Sequence, residues 1–154
     1  MKKGIVIPLV LFIAAFVFAG GFQLSVESGS NRKEALIIKT FGCHTPSDAK
    51  LNGTAEGIVN GERKSVNLKF KHDKKGIFTV AKQWADEGVW VITITGKYNG
   101  MTSNAIVQVD SKSNLMLAKG ETVNDLKVKI VHKDVSTEEV TKLLNDLNKK
   151  YTGV

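Results

Sequence analysis

The segment "GVWVITIT", Gly88–Thr95, decides how this chain is read. Val89, Val91, Ile92, Thr93, Ile94 and Thr95 are β-branched and Trp90 is aromatic. Such side chains are restricted in a helix and pack well on a pleated surface. The run is short and ends in glycine on both sides, which separates a strand from a buried helix of equal hydrophobicity. Asn99-Gly100 follows, and then a second apolar run, "AIVQV", Ala105–Val109. A two-residue hairpin turn needs positive φ at both central positions, and Asn-Gly meets that need at least cost. The same grammar recurs upstream. Gly53–Val59 leads into Asn60-Gly61, and Ser65–Phe70 follows with Val66, Leu68 and Phe70 on one face.

Outward from these hairpins, "GIFTVA" (Gly76–Ala81) is a further strand, and Leu24 and Val26 mark the first. "ALIIKTF", Ala35–Phe41, is apolar on both faces at its middle and reads as a covered central strand. About seven strands at intervals of 8 to 15 residues, with no helix between them, predict an all-β fold, an antiparallel β-sandwich over residues 23–110. "DSKSN", Asp110–Asn114, reads as a polar break opening a C-terminal extension, residues 111–154. In it Leu126, Val128 and Ile130 alternate with lysines, as in a strand. Ser136 and Glu139 form a capping box ahead of Val140, Leu143, Leu144, Leu147 and Tyr151, one stripe of an amphipathic helix over residues 136–151. That stripe packs on the sandwich or docks a partner.

Residues 1–22 read as an export signal. Lys2 and Lys3 precede a continuous uncharged run from Gly4 to Phe22, and Val17-Phe18-Ala19 suits a signal peptidase. At 19 residues the run is also long enough for an uncleaved anchor. A periplasmic or secreted location is expected, with membrane contact only if residues 1–22 are retained.

The stretch "GIFTVAKQWADEGVWVITITG", Gly76–Gly96, with its Gly-x-aromatic strand, short acidic turn and Gly-x-Trp strand, resembles small exported bacterial immunoglobulin-like modules. These include carboxypeptidase-regulatory-like and copper-associated accessory domains. The resemblance covers roughly Ala35–Asp110 and implies an immunoglobulin-like sandwich acting as an accessory or binding module. The inter-sheet disulfide of antibody domains is missing, because Cys43 is the only cysteine.

Composition narrows the function classes. The formal charge of +7 falls to +5 without Lys2 and Lys3, and the basic residues are 20 lysines against Arg32 and Arg63. Nucleic-acid readers use arginine forks and aromatic platforms, and this lysine-rich surface offers neither, so no nucleic-acid partner is expected. The histidines are His44, His72 and His132. No nucleophile elbow, His-Glu-x-x-His, phosphate-binding glycine loop or Cys-x-x-Cys is present, and no enzyme activity is expected.

The sharper chemical alternative is a metal site. Cys43 and His44, in "TFGCHTP", offer a thiolate and an imidazole for copper or zinc, with His72, Met101, Met116 or Asp48 to complete the set. Against it stand burial of Cys43 as a small apolar residue and a bridge to another chain. The expected function is a non-enzymatic binding or accessory module of the bacterial cell envelope, whose partner is an envelope protein or surface ligand. The alternative is a periplasmic copper- or zinc-binding protein.

Overall fold

The computed structural model describes residues 21–42, 46–73 and 75–152. The expected signal segment, apart from Gly21 and Phe22, lies outside them, as do Cys43 and His44. Nine strands run in chain order among the described residues: β1 (Gln23–Asn31), β2 (Glu34–Phe41), β3 (Lys50–Val59), β4 (Glu62–Asn67), β5 (Phe70–His72), β6 (Ile77–Val80), β7 (Val89–Tyr98), β8 (Met101–Val109) and β9 (Lys127–Val131). Helix α1 (Ser111–Lys119) precedes β9, and α2 (Thr137–Thr152) follows it. The strands form two antiparallel sheets, a four-stranded one in the order β1-β2-β6-β5 and a five-stranded one in the order β4-β3-β7-β8-β9.

The two Asn-Gly turns behave as their chemistry requires. Asn60 and Gly61 take φ of 52° and 80°, and Asn99 and Gly100 take 47° and 76°. Val59 thereby pairs with Glu62, and Tyr98 with Met101. The registers of β3, β7 and β8 follow from these turns and set the five-stranded sheet.

The quoted run is apolar at successive positions because β7 is covered on both faces. Trp90, Ile92 and Ile94 point into the core between the sheets, with Leu36, Ile38, Phe78 and Val80 of the other sheet. Val89 and Val91 point the other way, where with Ile106 they meet Val140, Leu144 and Leu147 of α2. Trp90 sets the spacing on the inner face. A Cβ on Gly57, its β3 partner, would fall 2.3 Å from the indole, so only glycine fits beneath the ring.

Two departures from the sequence reading have clear physical causes. The expected strand Ser65–Phe70 is two elements, because the chain crosses between sheets at Leu68-Lys69: β4 pairs with β3, and β5 with β6. Leu68 and Phe70 face the core on either side of the crossing, so their alternation survives it. At the break the Gln83 side chain stands in for a strand partner. Its Oε1 accepts the Lys69 amide at 3.0 Å, and its Nε2 donates to the Lys69 carbonyl at 2.9 Å. The second departure is α1, which occupies the stretch read as a polar break. Asp110 caps it by accepting the Ser113 amide at 2.8 Å, and Gly120 ends it at φ 77°. Its buried face contains Ser113 and Asn114 as well as Leu117, and those polar residues hide the helical period.

Candidate functional site

The outer faces of the two sheets differ. α2 covers that of the five-stranded sheet, whereas no helix packs over that of the four-stranded sheet among the described residues. On the open face, cross-strand pairing aligns Ile37 with Thr79 and Thr79 with Lys71, and beside them Lys39 with Ile77. These residues line a shallow groove of about 370 Å³, with Glu34 and Asp73 at its margins. Lys39 forms an ion pair with Glu27 on β1. Phe41, at the end of the same outward row, is 51% exposed. "ALIIKTF" is thus covered on one face only. Leu36 and Ile38 are fully buried, while Ile37 and Phe41 look outward, a distinction that a run of consecutive apolar residues cannot express.

Of the proposed metal set, Cys43 and His44 lie outside the described residues, whereas Asp48, Met101 and Met116 lie within them, as does His72. His72 ends β5, exposed, with its ring stacked on Phe78 at 4.2 Å and 9°. Its neighbour Asp73 accepts the amides of Lys75 at 2.8 Å and Ile77 at 3.0 Å, and these bonds hold its carboxyl below the usual range. The turn they build packs against the flanks of the cysteine segment. The Thr40 amide donates to the Gly76 carbonyl at 3.1 Å, and a Cβ on Gly76 would lie 3.5 Å from the Ser47 Cα. Met101 and Met116 sit apart, at the start of β8 and within α1, both packed on the core. Among the described residues no three of His, Cys, Asp and Glu gather where a metal could be held.

The other polar clusters fasten the fold. Trp84 is buried, and its indole N–H donates to Asn114 Oδ1 at 3.0 Å. Asn114 is fully buried and donates to the carbonyls of Ala85 and Gly88, both at 3.2 Å. The Lys82 side chain has no exposed surface, and its ammonium donates to the carbonyls of Trp84 and Ala85 beside Asp86 at 3.3 Å. Burial pushes that ammonium down, and Asp86 restores part of the shift. Asp86 in turn is held low, chiefly by Arg32. At the far side of α1, Asp110 accepts the Tyr151 hydroxyl as well as the Ser113 amide. Burial alone would raise the Asp110 carboxyl, but these donors outweigh it and hold it low, while Tyr151 is pushed up to about 12. The shifts of Asp86, Asp110 and Tyr151 belong to hydrogen bonds between elements, and that of Lys82 to its burial.

Comparison with protein-family models, with curated proteins and with solved structures finds no match for this chain. Among the described residues no helix is long and apolar enough to cross a membrane.

Proposed function

We propose that the chain is an exported, non-enzymatic binding or accessory module of the cell envelope, built as an immunoglobulin-like sandwich. The strand order supports the fold type. In an immunoglobulin domain the first, second, fifth and fourth strands form one sheet, with the third, sixth and seventh in the other. Counting β4 as the additional strand beside β3, the orders β1-β2-β6-β5 and β4-β3-β7-β8 follow that scheme, and β9 extends the second sheet. The observation that carries the binding reading is the open face of the four-stranded sheet. A helix shields one outer face, while the other leaves Ile37, Ile77 and Phe41 toward solvent.

A photo-crosslinking residue replacing Thr79 in the groove is expected to give a discrete adduct in the intact envelope. The same residue replacing Thr141 on the outer surface of α2 is expected to give none. Adducts from both, or from the α2 position alone, remove the open face as the binding surface.

A second reading has one observation in its favour. The hairpin that follows His72 packs on Thr40 and Ser47, the flanks of "TFGCHTP". A copper or zinc site using Cys43, His44 and His72 predicts that Cys43→Ala and His72→Ala each weaken copper(I) or zinc binding at least tenfold, the loss expected for one direct ligand. Equal affinity in the wild type and both variants eliminates it.

A further inference from the structure

We infer that the edge strand β4 pairs antiparallel with β4 of a second copy of this chain, about a twofold axis at Ser65. Such a pairing joins sheet edges and does not depend on the binding role of the open face. The hairpin fixes which main-chain groups of β4 are satisfied. Asn60-Gly61 is a two-residue turn, so Val59 and Glu62 exchange both main-chain bonds. Bonded pairs alternate from there, through Gly57 with Lys64 and Ala55 with Val66. The Leu68 amide, donating to the Gly53 carbonyl at 2.9 Å, continues this order. Arg63, Ser65 and Asn67 therefore turn their amides and carbonyls away from β3. All three residues are exposed, and among the described residues no other segment bonds those groups. An open row of this kind takes an extended strand.

The other edge strands offer less. β5, at the same side of the four-stranded sheet, has only three residues. At the far side β1 and β9 come together. There the Leu24 amide donates to Ser103 Oγ at 3.3 Å, and the Val123 amide to Ser28 Oγ at 2.9 Å. Charge favours a second copy as the occupant of the β4 edge. Lysine and arginine commonly guard an edge by repelling an incoming strand. On β4 both charges are already answered. Lys64 pairs with Glu62, and Arg63 pairs with Glu56 on β3 while donating to Thr141 Oγ1 of α2 at 2.9 Å. The edge is thus locally neutral, and an identical edge meets it without repulsion. With Ser65 on the axis, Arg63 of one copy faces Asn67 of the other, and Lys64 faces Val66. An axis at Lys64 or at Arg63 would set that cation against itself, which destabilises a strand pair. The product is an isologous dimer whose continuous sheet takes five strands from each copy. The paired segment is short, so the dimer is weak and forms with rising concentration.

Sedimentation equilibrium of the full chain over a wide range of concentration tests the pairing. The wild type is expected to pass from monomer to dimer. Ser65→Pro removes an amide that the β3–β4 ladder does not use, and proline is tolerated on an edge strand whose N–H faces solvent. The variant is expected to keep the thermal midpoint of the wild type. It loses the two bonds at the axis, so its dimer should dissociate about tenfold more readily or more. Ser65→Ala keeps the amide and should dimerise as the wild type does. Association through any other surface is common to all three chains, so their differences report β4. A wild type that stays monomeric, or a Ser65→Pro chain that dimerises as tightly, overturns the inference. Should Ser65→Pro unfold, hydrogen exchange of the wild type decides. The amides of Arg63, Ser65 and Asn67 are expected to gain protection as concentration rises, while those of Lys64 and Val66 are protected throughout. No gain at the three outward amides overturns the inference equally.

Discussion

Asn114 carries more of the fold than its residue type suggests. Fully buried, it accepts from the Trp84 indole and donates to two loop carbonyls, so α1 and the loop after β6 are held by one amide. Replacing it by alanine takes the partner from the buried indole N–H and a donor from the Gly88 carbonyl, while the Ala85 carbonyl keeps the Lys82 ammonium. The expected loss is about 3 kcal/mol, because each buried polar group left unsatisfied costs on the order of 1–3 kcal/mol and the loop can relax in part. Urea unfolding of Asn114→Ala measures it, and a midpoint unchanged from the wild type would show that the loop stands without the amide. No local pattern announces this role, since an asparagine in "DSKSN" looks like a turn residue. At the same scale, the positive φ of Asn60 and Asn99 was fully legible, because it is a property of two adjacent residues.

Helix α2 shows how one element completes another. Val140, Leu144 and Leu147 bury the outer face of β7, while Leu143 and Tyr151, on the same periodic stripe, are only partly covered. Leu144→Ala is expected to cost about 2–5 kcal/mol and Leu143→Ala distinctly less, since the penalty follows lost contacts and cavity, not residue type. Equal losses in denaturant midpoint would mean that α2 is not seated as described. The stripe was readable at a period of 3.6, and so was the alternation of β9. The division of "VNLKF" between β4 and β5 was not. Periodicity reports which side of a strand meets the core, and a strand that changes sheets keeps the same side inward. The Gln83 amide that closes the break comes from a residue distant in the chain, so no local pattern announces it.

At the scale of the whole molecule, pH acts through the bonds that join elements. Asp73, Asp86 and Asp110 are held below the usual carboxylate range by the Lys75 amide, by Arg32 and by the Tyr151 and Ser113 donors respectively. The stability they add is complete above pH about 4 and is lost as pH falls through their depressed values. Tyr151 acts in the opposite sense. Its contribution is complete below the ordinary tyrosine value and is lost as pH rises through about 12. Thermal unfolding followed across pH should therefore show, for Tyr151→Phe against the wild type, a smaller decline at both the alkaline and the acid end. Matching profiles would mean that the hydroxyl and Asp110 are not coupled across α1 and α2.

By itself the sequence determined what depends on neighbours along the chain: the hairpin turns, the strand-forming run Gly88–Thr95 and the helical stripe of α2. These follow from the φ preferences of Asn-Gly, the stiffness of β-branched side chains and the repeat of apolar positions. Only the tertiary structure decided which covered strand has an open face, where the chain crosses between sheets, and which cations find an ion-pair partner. Burial and ion pairing depend on residues brought together from distant parts of the chain. A run such as "ALIIKTF" reads the same whether its outer row meets a helix or water.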